Sequence, residues 1–322
     1  MRPSKLDRYT LTGDPKTVHW GYYSSKISPV LRIHSGEAVT IVSPHGNPAV
    51  YEAAGILPDE IPRMNREIFA QVKERGPGPH ILVGPIYIEE AENGDTLEVH
   101  IEDVRITAPF GYNSTIIGMG TLSEDFPFSS TKVLRMDLAK MTTEMLPGII
   151  IPLNPFFGSM GVAPPEALGR VDSIFSGIHG GNLDNKELGS GAILYLPIHV
   201  KGALFSAGDG HAVQGNGEVN VCALEAELAG TFRLVVRKNE RLFWPRAETQ
   251  THFITMGLNE DLDLAAKMAV RQMIAYLHEN KGLALEEAYR LSSLAVDLHV
   301  TQVAGGVKGI HAMLPKRIFS EK

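Results

Sequence analysis

The chain reads as a β-rich α+β protein of barrel- or sandwich-like antiparallel sheets, with one short helix in its first half and two near its C-terminus. Three observations point there. Period-two alternation of apolar and polar residues dominates the first two thirds. Glycine-bearing turns repeatedly deliver strand-like runs, and helical spacing takes over only in the last fifth. Gly 32 and Pro 20 in 322 residues fit many turns and short strands.

In chain order, Val30–His34 reaches the turn Ser35-Gly36-Glu37 and resumes as Ala38–Val42. The same grammar returns at Asn93-Gly94-Asp95 before Thr96–Ile101, and at Leu188–Gly191 before Ala192–Pro197. Between the first two lies the short helix, opened by Pro62, carrying Met64, Ile68, Phe69 and Val72, and closed before Gly76-Pro77. From Leu262, the positions Ala266, Ala269, Val270, Met273 and Leu277 trace a helix that Gly282 ends. A second helix with Leu285, Ala288, Leu291, Ala295 and Leu298 is expected to run until Gly305-Gly306. The chain reads as a single unit of residues 1–322. Pro-rich breaks at Ile151–Pro155 and Ala163–Pro165 allow two β-rich halves, 1–145 and 146–322.

Composition narrows the function. Hydrophobic residues at 43% and charged residues at 21% describe an ordinary globular chain. A formal net charge of -7 offers no basic field to a phosphate backbone, so nucleic acid is a poor partner. Cys222 is the only cysteine, which excludes an intramolecular disulfide. It falls in an apolar run expected to be a strand, where a thiol is inert packing. The opening Met1–Arg8 is polar and does not read as a signal peptide, and no apolar run is long enough for a bilayer. The expectation is a cytoplasmic protein without a membrane partner.

The polar residues of interest cluster between Gly177 and Glu227. Ile178–Asn185 is one group and Ser206–Glu218 is another, at the ends of apolar runs. Asp209 and His211 are two apart, so an extended segment points both to one side. Carboxylate oxygen and imidazole nitrogen suit zinc or a similar divalent ion, and Asp184 can supply a third ligand. The plainer alternative has both aspartates capping turns and His211 on the surface. His80 opens a strand after the rigid turn Gly76–Pro79, where it faces either a pocket or a satisfied interior. Glu89, Glu90 and Glu92 read as a solvated face, and Phe156-Phe157 as core. No Gly-x-Ser-x-Gly elbow, phosphate loop or dinucleotide fingerprint occurs.

These clusters carry a resemblance. His80–Pro85 with Ala91–Asp95, Gly161–Pro164, Gly180–Asp184, Gly208–His211 and Gln214–Glu218, in this order and spacing, make the chain similar to the acetamidase/formamidase family of metal-associated amide hydrolases. The likeness extends from about Val30 to the last helices. One departure is Asn216, where the family pattern has an aspartate.

The resemblance implies hydrolysis of a short aliphatic amide to carboxylate and ammonia, a divalent cofactor with zinc first among candidates, and a homo-oligomer. Asp184, Asp209 and His211 are then the expected metal ligands. Glu218 is the expected general base. His80 is placed beside it as a catalytic group that orients the amide or steadies its oxyanion, and Asn182 and Gln214 are expected at the substrate. Two alternatives stay open: a lactam or other amide as substrate, and a non-catalytic binding protein whose loops a metal ties together.

Overall fold

A computed structural model of the chain describes residues 8–319, so the polar opening before Arg8 lies outside the described residues. Among them, 19 strands join into one hydrogen-bonded sheet, and a second sheet has only two strands. A sheet of that size does not stay flat, because strand twist accumulates and curls it around its own apolar face. Most pairings are antiparallel. Arg8–Thr12 beside Ala38–Ser43 and Leu31–Ile33 beside Ile81–Ile88 are parallel.

The expected turn-and-strand units are present at Ala38–Ser43, Thr96–Thr115 and Ile193–Pro197. The organising strand is Leu224–Arg237. It pairs with Thr96–Thr115 along most of its length, with Ala38–Ser43 at its middle and with Phe205–Val213 at its start. Pairing therefore runs across residue 145. Val99, Leu228, Phe232 and Leu234, all buried, belong to the main core that these strands enclose.

Four α-helices accompany the sheet among the described residues. The predicted helix after Pro62 is α2, Arg63–Gln71. A shorter one, α1, Pro48–Ala53, has Asn47 accepting from the Ala49 amide and Pro48 in its first turn; its length of 6 residues is too short to show a periodic stripe. Helix α3, Leu262–Lys281, is capped by the Asp261 carboxylate and ends at Gly282 in the left-handed region, φ 69°. Ala265, Ala269, Met273 and Leu277 form its buried face. Helix α4 differs from expectation. It stops at Ala295, and Asp297–Gln302 is a strand paired with Lys308–Pro315. The β-branched residues Val296, Val300 and Thr301 favour that extended path over continuation of the helix. Cys222 is buried but lies in the turn before Leu224, not within a strand.

Candidate functional site

Register brings the polar residues together. Phe156 stands opposite His211, Phe157 opposite Gly210, and Ser159 opposite both Gly208 and Asn182. On the other side, His211 stands opposite Glu225. The Phe156–Gly161 strand thus lies between the two clusters picked out from the sequence. Gly158 is its point of closest approach. A Cβ there would come within 2.6 Å of Asp209 Oδ2, 2.7 Å of Asp184 Oδ1 and 2.7 Å of His211 Cε1. Asp184, Asp209 and His211 consequently face one small space, and His211 is only 1% exposed. The surface reading of His211 does not hold.

Backbone strain marks the same place. Asp184, Asp209, Glu218 and Val221 have φ of 46°, 59°, 41° and 70°, a region that L-residues rarely enter. Such conformations persist where surrounding structure over-determines them, and they concentrate at working sites.

The hydrogen bonds assign tautomers. Gln214 Nε2 donates to the Asp184 carbonyl oxygen at 2.7 Å, which turns its Oε1 toward His211 Nδ1 at 2.9 Å. His211 therefore donates from Nδ1, and Nε2 is aimed at Asp209 Oδ2 (3.3 Å) and Glu225 Oε2 (3.4 Å). His80 Nδ1 faces the Ser173 carbonyl oxygen at 3.0 Å and must donate to it, which leaves Nε2 3.7 Å from Asp209 Oδ2. Asn182 Nδ2 donates to Asp184 Oδ2 at 2.5 Å. The remaining atoms are telling. Asp184 Oδ1, Glu225 Oε2 and Asn182 Oδ1 are buried and without a hydrogen-bond partner.

Charge explains the electrostatics. Burial raises the Glu218 carboxyl to about 7 and the Glu225 carboxyl to about 8. Burial, then the charge of Glu218, raises Asp184. Asp209 moves down: burial opposes its charge, but His80 and His211 outweigh it. His211 moves up, because Glu225 and Asp209 overcome its own burial. His45 falls to about 4, mainly through burial. Four carboxyls and three imidazoles in one buried space demand positive charge, supplied by protons or by a cation.

The side chains fall into two groups able to hold a cation. Asp184, His211 and Glu218 form one, and His45, Asp209 and Glu225 form the other, with donor atoms within 4.8 Å of one another in each. An unpartnered oxygen sits in both. The donor set, oxygens with imidazole nitrogen, fits a divalent metal, and the Gln214 contact is the outer-shell partner a ligating histidine takes.

His80, Asn182, Asp184, Asp209, His211 and Glu218 all line this site, whereas Gln214 lies behind it with both ends of its amide engaged by His211 and the Asp184 carbonyl oxygen. Asn216 is exposed on the turn beyond it, with Nδ2 3.5 Å from His299 Nδ1, away from the cluster. His45 and Glu225 were not anticipated. The signals were Glu225, a carboxylate within the largely apolar run Cys222–Ala229, and a histidine directly after Pro44 at a strand end.

Comparison with known proteins agrees with this architecture. The model of the acetamidase/formamidase family matches residues 75–173 and 170–321. A formamidase of Methylophilus methylotrophus is 28% identical over 202 residues, which is 47% of this chain and 49% of that protein. The chain spans about half the length of the curated relatives it matches. Solved structures align over nearly everything. An acetamidase from Bacillus halodurans is 29% identical with a TM-score of 0.81, covering 96% of this chain and 98% of that one. An acetamidase from Yersinia enterocolitica is 26% identical with a TM-score of 0.84, covering 99% and 95%. The chain belongs to the acetamidase/formamidase family.

Proposed function

We propose that the protein hydrolyses the C–N bond of a primary amide, releasing carboxylate and ammonia, at a centre that takes a divalent cation. One observation carries the reading: with His211 Nδ1–H committed to Gln214, the opposite nitrogen is aimed at two buried carboxylates. Two carboxylates facing that nitrogen require positive charge between, either a proton on Nε2 or a cation in its place. The unpartnered Asp184 Oδ1 and Glu225 Oε2 want the same thing.

Asp184, His211 and Glu218 would hold the cation, with Asp209 alongside. Zinc is our first candidate, from the mixture of carboxylate and imidazole donors. Once bound, it supplies Lewis-acid polarisation of the amide carbonyl and acidifies water. Glu225 borders both cavities at the cluster and, as a carboxylate facing His45 and His211, would take a proton from the attacking water and return it to the departing ammonia. His80, fixed through Nδ1, presents Nε2 to the carbonyl region. Asn182 Oδ1 is an unused acceptor suited to the amide N–H. The role of base, first read for Glu218, passes here to Glu225, because Glu218 shares with Asp184 and His211 the group to which we assign the cation.

Metal analysis of the purified protein, with ammonia release from formamide and acetamide before and after chelation, tests the reading. Asp209→Ala and His211→Ala should both lose metal and turnover. Full metal content in both would remove the assignment. We also propose a homo-oligomer, supported by the exposed Phe126 and Phe128 (49% each) and Ile150 (64%), with light scattering as the check.

A further inference from the structure

Two cavities meet at the carboxylate cluster. One, of about 390 Å³, contains Asp184, His211 and Glu218. The other, of about 370 Å³, has His45, His80, Asp209 and Glu225 at its inner end and is otherwise bounded by uncharged residues, with an apolar and aromatic part that includes Trp20, Val50, Phe69 and Tyr112 and a polar part of five Asn, Ser and Thr side chains. His80, Asp209 and Glu225 border both. So does Val221, a β-branched residue held at φ 70°.

The aromatic wall is built to stay in place. Trp20 is 7% exposed and meets Phe69 edge-on, with centroids 4.8 Å apart at 72°. The Arg75 guanidinium lies 3.9 Å from the Trp20 ring centroid. The Tyr112 hydroxyl is 3.2 Å from His45 Nε2, which ties the wall to the reacting end. Acetamide, with a single methyl group, would leave this wall untouched and the chamber wet. A bulky apolar group would displace that water and gain contact with two aromatic rings.

We propose that this second chamber receives the acyl substituent of the substrate, and that the preferred substrates are primary amides carrying an aryl or branched-alkyl group. The carbonyl then lies at the shared border beside His80, Asp209 and Glu225. The absence of any charged side chain beyond that end, among the described residues, disfavours amides with ionised substituents. This rests on the amide-hydrolase reading above and adds the substrate class.

The test compares kcat/KM for phenylacetamide and acetamide in the native protein, in Val50→Phe, which fills the chamber, and in Phe69→Ala, which removes part of its wall. We expect the native ratio to favour phenylacetamide by about 10-fold or more, the range a shaped apolar pocket provides. It should fall to unity or below in Val50→Phe and drop in Phe69→Ala. Turnover of acetamide with a native ratio at or below one, unchanged in both variants, would overturn the chamber and leave the hydrolase reading standing. If no amide is turned over, calorimetric titration of the same two amides decides. Tighter phenylacetamide binding that Val50→Phe abolishes upholds the chamber while the hydrolase reading falls, and equal or absent binding removes both.

Discussion

The helical cover and the carboxylate cluster are both built against long strands, yet they use burial in opposite ways. Under α3, burial is spent on fit. Ala265 and Ala269 present a flat face to Gly257, whose missing side chain lets the helix approach until a Cβ there would stand 1.9 Å from the Ala265 carbonyl oxygen. The Thr255 hydroxyl is satisfied by the Ala269 carbonyl oxygen at 2.8 Å. At the cluster, burial is spent on poise. Carboxylate oxygens are left without partners and three acidic residues sit in the left-handed region. One region shows what stability selects, and the other what a charged ligand requires.

That contrast can be broken by exchanging its readouts. Asp184→Asn keeps the shape and the Asn182 contact but removes a negative charge from the cation group. Amide turnover should fall by at least about 1,000-fold, some 4 kcal/mol of barrier. Thermal stability of the metal-free protein should hold or rise, since a buried like charge is relieved. A matching loss of stability would show that the carboxylate is structural.

Gly257→Ala should do the reverse. Its methyl group meets backbone, which cannot swing aside, and an overpacked contact of this kind costs about 3 kcal/mol. Chemical denaturation should register it, with metal content per folded molecule unchanged. Gln214→Ala sharpens the comparison within the site. If Gln214 steadies His211, metal affinity measured by chelator competition should weaken by about 10- to 100-fold. A raised KM with unaltered metal affinity would return Gln214 to the substrate.

The smallest effect concerns pH. His19 donates from Nδ1 to the Tyr22 carbonyl oxygen at 2.8 Å, and its Nε2 meets the Ser206 hydroxyl at 2.9 Å. Burial lowers it to about 4 from an ordinary 6.5. The unfolded chain binds that proton first, so stability is full above about pH 6.5 and declines as pH falls toward 4. The slope attributable to one such group is about 1.4 kcal/mol per pH unit. His19→Gln should flatten the melting profile by about 1 kcal/mol between pH 6.5 and 5.5; an identical profile would remove His19 as a contributor.

Much of the site was legible in the primary sequence because it is written locally. Asp209 and His211 share one strand, and Asp184 follows the short glycine-led strand Gly180–Asn182. Glycines before Ala38, Thr96 and Ile193 announce strands whatever those strands later pair with. Helix α3 was readable from its stripe and its Gly282 cap, whereas α1 is too short to write a period and α4 runs into β-branched residues that override an apolar spacing. His45 and Glu225 are different in kind. They are 180 positions apart, and nothing near either one names the other.

Only pairing unites them. Ala38–Ser43 lies antiparallel to Leu224–Arg237 with Ser43 opposite Leu228, so the chain leaving one strand at Pro44-His45 arrives beside the residues entering the other. Amino-acid order by itself determined the strand grammar, the helix caps and one half of the carboxylate–imidazole cluster, because those depend on neighbours a few residues away. Tertiary structure decided which histidines and carboxylates share a space, where Gly158 leaves room for it, and which aromatic wall adjoins it. Those outcomes depend on register between distant strands, which no local pattern encodes.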